Sequence, residues 1–87
     1  MALIKVKIFR EDRFSIEQET DSGKYYITFP VFNGLAEYAE FYEISNGEFD
    51  KFNIDLESLK DFVRDCKNRK NDARLLEKPG RIRGEPN

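Results

Sequence analysis

Tyr25-Tyr26-Ile27-Thr28-Phe29-Pro30-Val31-Phe32, with Asn33-Gly34 immediately after it, is the stretch on which the fold turns. Every residue of the octet except Pro30 is aromatic or β-branched, the types that fit a pleated surface, so the segment reads as a strand. Pro30 has no backbone donor and therefore marks a strand end, a bulge or an edge. Asn33-Gly34 is the pair that favours a tight type I′ hairpin turn, in which both central residues need positive φ. A returning strand should come after it.

Residues 35–44 carry two periodicities. Leu35, Tyr38, Ala39 and Tyr42 fall at helical spacing, whereas Tyr38, Tyr42 and Ile44 share one strand face with Glu40 between them. The rings from Tyr38 to Ile44 and the preceding turn tip the reading towards a strand. Upstream, Phe14 and Ile16 lie on one side and Ser15, Glu17 and Glu19 on the other, a half-buried strand that ends at Asp21-Ser22-Gly23. Further back, Ala2, Ile4, Val6 and Ile8 alternate with Leu3, Lys5, Lys7 and Phe9. This is a first strand, paired with the next through a turn at Glu11-Asp12.

Beyond Ile44 the period changes. Ser45 with Glu48 three residues later has the form of a capping box, and Phe49 and Phe52 then sit three apart, which predicts a short helical segment over 46–52. Asp55 can cap a longer helix whose Leu56, Leu59, Phe62, Val63 and Cys66 share one face. Glu57 in its first turn and Lys67, Arg69 and Lys70 in its last suit the helix dipole. After Asn71 only Leu75 and Leu76 offer an anchor, and Lys78-Pro79-Gly80-Arg81-Ile82-Arg83-Gly84-Glu85-Pro86 has too many breakers to be regular. The expected fold is α+β: an antiparallel meander of about four strands, then a short and a long C-terminal helix packed on one face. Residues 1–72 form the single domain and residues 73–87 an extended basic tail.

Composition narrows the chemistry. The 87 residues support one small domain, and at 37% charged residues they do not suit a membrane. With no His and one Cys, the chain cannot assemble a Ser/His/Asp or Cys/His catalytic group, a His- or Cys-rich zinc site or an internal disulfide. No catalytic, metal-binding or cofactor-binding residues are expected, and the protein is not expected to be an enzyme. Met1 to Phe9 lack the apolar run of a signal peptide, which makes the cytoplasm the expected location.

The net charge of −2 hides a segregation. Residues 1–10 carry Lys5, Lys7 and Arg10 and no acid. Residues 11–50 carry ten acids (Glu11, Asp12, Glu17, Glu19, Asp21, Glu37, Glu40, Glu43, Glu48 and Asp50) against Arg13 and Lys24, a net of −8. An acidic middle disfavours a nucleic-acid reader built on these segments and favours a basic partner. Within it, Glu37, Glu40, Glu43, Glu48 and Asp50 interleave with Tyr38 and Tyr42. These seven are the candidate contact residues: Tyr supplies rigid area and the carboxylates speed encounter with a cationic surface. The same pattern also fits a solvated strand face over core rings. Cys66, on the apolar face of the long helix, reads as a small buried hydrophobe.

The runs Lys24 to Leu35, Tyr42-Glu43-Ile44-Ser45, Phe62-Val63-Arg64-Asp65-Cys66-Lys67-Asn68-Arg69, and Lys78-Pro79-Gly80-Arg81 with Arg83-Gly84 resemble small bacterial immunity proteins, of the kind encoded beside contact-dependent growth inhibition and other polymorphic toxins. The resemblance spans roughly residues 13–86 and contains no catalytic signature. It implies a cytosolic antitoxin that binds the C-terminal domain of a cognate toxin, often a nuclease, and blocks its active site or substrate surface. Two other readings stay open beside it. One is a small nucleic-acid-associated regulator using the basic first strand and tail. The other is a module that self-associates through the strand edge near Tyr38 to Ile44.

Overall fold

A computed structural model describes residues 2–77 and 84–86. Strands β1 (Leu3–Phe9), β2 (Phe14–Glu19), β3 (Tyr25–Phe32) and β4 (Glu37–Ile44) form an antiparallel meander in the order β1-β2-β3-β4. Helices α1 (Asn46–Ile54) and α2 (Leu56–Lys67) come next in the chain. The α+β meander with two helices after it is as the sequence predicts, including the strand assignment of residues 37–44.

The register shows how the faces divide. Ile16 pairs with Ile27 and Ile27 with Tyr42, while Val31 pairs with Tyr38 and Tyr25 with Ile44. This face meets the helices. Phe14, Ile16, Ile27, Phe29, Val31, Tyr42 and Ile44 form one buried cluster with Phe52 of α1 and Leu59, Val63 and Cys66 of α2. Ring contacts join the layers: Tyr25 of β3 stacks on Phe49 of α1 at 3.9 Å, and Phe52 of α1 packs on Phe62 of α2 at 5.3 Å. Both caps form as the sequence indicates. Ser45 and Glu48 make the reciprocal capping box, and Asp55 Oδ1 accepts from the Ser58 amide at 3.2 Å.

Several local expectations are corrected. The β3–β4 connection is a four-residue loop and not a two-residue type I′ turn. Gly34 has φ +88°, but Asn33 lies outside the left-handed region. Its carboxamide oxygen instead accepts from the Leu35 and Ala36 amides at 2.9 and 2.8 Å, so Asn33 works through its side chain. In β1 the strict alternation fails at a bulge, since the register with β2 shifts between Lys5 and Lys7. Ile4 therefore shares the helix face with Lys7 and Phe9, while Leu3, Lys5 and Ile8 face the other way. The polar side of β2 is not half-buried: Ser15, Glu17 and Glu19 are all buried. Leu56 is exposed, because it opens α2 at the elbow with α1 and precedes the buried stripe.

The segment read as a tail also joins the sheet. A 3₁₀ turn at Asp72–Arg74 leads to Leu75, which bridges Tyr42, and the Leu76 amide donates to the Phe41 carbonyl at 2.8 Å. Residues Glu85–Pro86 form β5, antiparallel to β3 at Val31 and Phe32. β2 stops pairing with β3 at Thr28, so the position of Pro30 costs no ladder bond to β2, and β5 takes up the neighbouring stretch of β3. Gly84 lies so close that a Cβ there would stand 2.9 Å from the Phe32 amide nitrogen. The expected extended run from Lys78 through Pro79, Gly80, Arg81 and Ile82 to Arg83 lies outside the described residues.

Candidate interaction surface

The register of β4 decides where the seven candidate residues go. Strand alternation sends Tyr38, Glu40, Tyr42 and Ile44 to the helix side and Glu37, Ala39, Phe41 and Glu43 to the side that no helix covers. Tyr42 is 0% exposed; its hydroxyl donates to the Cys66 carbonyl at 3.2 Å and lies 3.3 Å from Glu40 Oε1. A residue so placed joins sheet to helix and offers a partner no contact area. Glu40 is buried beside it, and Tyr38 is half-buried with its hydroxyl accepting from the Gly84 amide at 2.7 Å.

Glu48 and Asp50 belong to α1. Glu48 is committed inside the molecule, capping Ser45 and pairing with Arg74 at 2.8 Å. Burial pushes its pKa up, but the Arg74 hydrogen bond and the Ser45 amide outweigh this and hold it below the ordinary glutamate value. Asp50 is exposed beside Phe49 and Tyr25, by the turn after β2. The seven residues thus occupy both faces of the sheet and one helix, and no single acidic face gathers them. Only Glu37 and Glu43 share the uncovered side.

That side carries a different pattern. Glu37, Ala39, Phe41 and Glu43 form the outward row of β4, an acid at each end and an apolar pair between. Beside them on β3 stand Phe32, opposite Glu37, and Pro30, opposite Ala39. Phe32 is 49% exposed and Leu35, in the connecting loop, 80%. The Asn33 side-chain turn holds this end of the hairpin in one shape. On this face Glu17 pairs with Lys5 at 3.1 Å and Glu43 with Lys24 at 3.6 Å.

The basic stretch after α2 is largely occupied by intramolecular contacts. Lys67 donates to the Asp12 carbonyl at 3.2 Å, Lys70 lies 4.0 Å from Asp65, and Arg74 reaches Glu48, the Glu43 carbonyl and the Phe62 ring. The strand edge near Tyr38 to Ile44 is covered at Phe41 and Tyr42 by Leu75 and Leu76, and β1 forms the opposite edge of the meander. Cys66 is buried as expected. Its desolvation pushes the thiol up to about 11, against the Asn71 carboxamide that donates to Sγ.

Sequence reasoning did not nominate Phe32, Leu35, Ala39 or Phe41 as contacts, although Phe41 stands among the interleaved rings. Treating Tyr42 as core would have found the last two, since alternation then sends positions 39, 41 and 43 outward. Among the described residues no group of acids, Cys or His is arranged to hold a metal ion, and no helix is long and apolar enough to cross a membrane. Set beside known proteins, the chain matches no family model, no curated sequence and no solved structure.

Proposed function

We propose that the protein is an immunity protein that binds and neutralises a cognate toxin domain, and that contact runs over the outward row of β4 and the end of the β3–β4 hairpin. The observation that carries the surface is the arrangement of Ala39 and Phe41 between Glu37 and Glu43, with the exposed Phe32 and Leu35 beside Glu37. Interfaces are built this way, with an apolar centre that desolvates and a charged rim that steers. Glu37 and Glu43 favour a partner whose rim is basic, which suits a nuclease domain that grips phosphates. In this role the protein acts in the cytoplasm, by occupying the toxin's substrate surface and without chemistry of its own.

Titration calorimetry against the toxin domain encoded immediately upstream of the gene tests this. A 1:1 complex is expected. Phe32→Ser with Phe41→Ser should weaken it about 30-fold or more, as loss of a central anchor does. Glu37→Lys with Glu43→Lys should slow association and reduce its salt dependence while the melting temperature changes little. Absence of binding would overturn the immunity reading. Binding that neither double variant alters would leave the toxin as partner and displace the surface.

A further inference from the structure

We propose that a hollow at the gap where β2 parts from β3, lined by residues of both sheet faces, is a binding site for a small organic carboxylate with an apolar body. The hollow has a volume of about 400 Å³, within the range of small-ligand sites. Ser15, Thr28 and Ala39, three small residues from neighbouring strands, leave the space, and Ile8, Phe14 and Pro30 give it apolar walls. Arg10 and Arg13, from the loop between β1 and β2, stand at its rim.

Charge and hydrogen bonding define the ligand. Glu17 and Lys5 also line the hollow, but they neutralise each other at 3.1 Å, and Ser15 Oγ lies 3.4 Å from the same carboxylate oxygen. The two arginines are different: neither guanidinium has a hydrogen bond or an ion pair among the described residues. Unpaired guanidinium groups beside an apolar wall match a carboxylate, which they hold through paired N–H donors. Thr28 supplies an independent sign. It is 5% exposed, lines the hollow, and its Oγ1 is buried with no hydrogen-bond partner. A buried polar atom left unpaired in a native fold calls for a partner that is not part of the chain. A ligand carboxylate oxygen supplies it, while the apolar body lies against Ile8, Phe14 and Pro30.

The proposal is independent of the toxin reading and is tested on the isolated protein. The probes are 3-phenylpropionate, its neutral counterpart 3-phenylpropionamide, and inorganic phosphate, each followed by residue-resolved NMR titration. With phenylpropionate, amide shifts should concentrate at residues 8–15, 28, 29 and 39. The amide and phosphate should each bind at least tenfold more weakly. Arg10→Gln with Arg13→Asn should cost tenfold or more, Asn being chosen because Arg13 has φ 57° and Asn tolerates that conformation. Thr28→Val should weaken the probe severalfold while raising the melting temperature, a combination that a general loss of structure does not give. Scattered or absent shifts overturn the site. Equal binding of the neutral amide overturns the role of the arginines, and equal binding of phosphate overturns the apolar body.

Discussion

The two faces of the sheet bury residues by different means. On the helix side, Ile27, Val31 and Tyr42 are each 0% exposed because a second layer, carrying Phe52, Leu59, Val63 and Cys66, lies over them. On the other side Ser15, Glu17, Tyr26 and Thr28 are also buried, with no helix of the described residues above them. Most of them are polar. The first kind of burial removes apolar area from water and drives folding. The second creates a lining whose polar groups must be paired, and Lys5 on Glu17 meets that need where Thr28 remains unmet.

The comparison is broken most directly by matched truncations. Ile27→Ala should cost about 3–4 kcal/mol, as deletion in a closed core does. Phe41→Ala, half-buried on the outward row, should cost no more than about half as much by denaturant unfolding. Equal losses would show that the uncovered face is part of the core. Next in size is Gly84→Ala. The added Cβ would meet the Phe32 backbone at 2.9 Å and the Val31 Cβ at 3.1 Å, so β5 must shift, at about 1–3 kcal/mol. Hydrogen exchange should quicken at Val31 and Phe32, and leave Ile16 unchanged.

Thr28→Val sharpens the contrast in the opposite sense. Replacing an unpaired buried hydroxyl with a methyl group should stabilise the protein by about 1 kcal/mol, read in the same unfolding experiment. A loss would mean that the hydroxyl is satisfied in solution. The smallest effect concerns Glu48, which ties α1 to Arg74. Its folded pKa lies below the ordinary 4.5, so its contribution is fully present above that pH and is lost as pH falls through the lower folded value. Glu48→Gln should therefore flatten the acid limb of the stability profile, lowering stability slightly near neutral pH and leaving it nearly unchanged below the folded pKa.

The sequence was most legible where a pattern repeats. Alternation over Tyr25 to Phe32, and the spacing of Leu59, Phe62, Val63 and Cys66, carry enough residues to survive a local exception. Both caps could be read because they rest on side chains acting within one turn. The bulge in β1 left no mark, since Val6 continues the apolar alternation of Ile4 and Ile8. The pairing of Glu85–Pro86 with β3 was illegible because Pro and Gly announce irregular backbone and say nothing of a distant strand with room beside it. For the site, the difficulty was the nature of Tyr. Its ring suits a core as well as a contact surface, and only the register separates Tyr42, which bonds to the Cys66 carbonyl, from a surface anchor.

The position of β5 sets an order on synthesis. A ribosome delivers β1 to β4 in sequence, each strand able to pair with the one just made. Two residues of β3 must wait for Glu85 and Pro86, which emerge only after both helices. Until then Val31 and Phe32 present open backbone on that side, and the nascent chain carries a short interval in which a foreign strand could occupy the place. The arrival of these last residues ends that exposure, so they serve the young chain as a seal as well as the mature one as a strand.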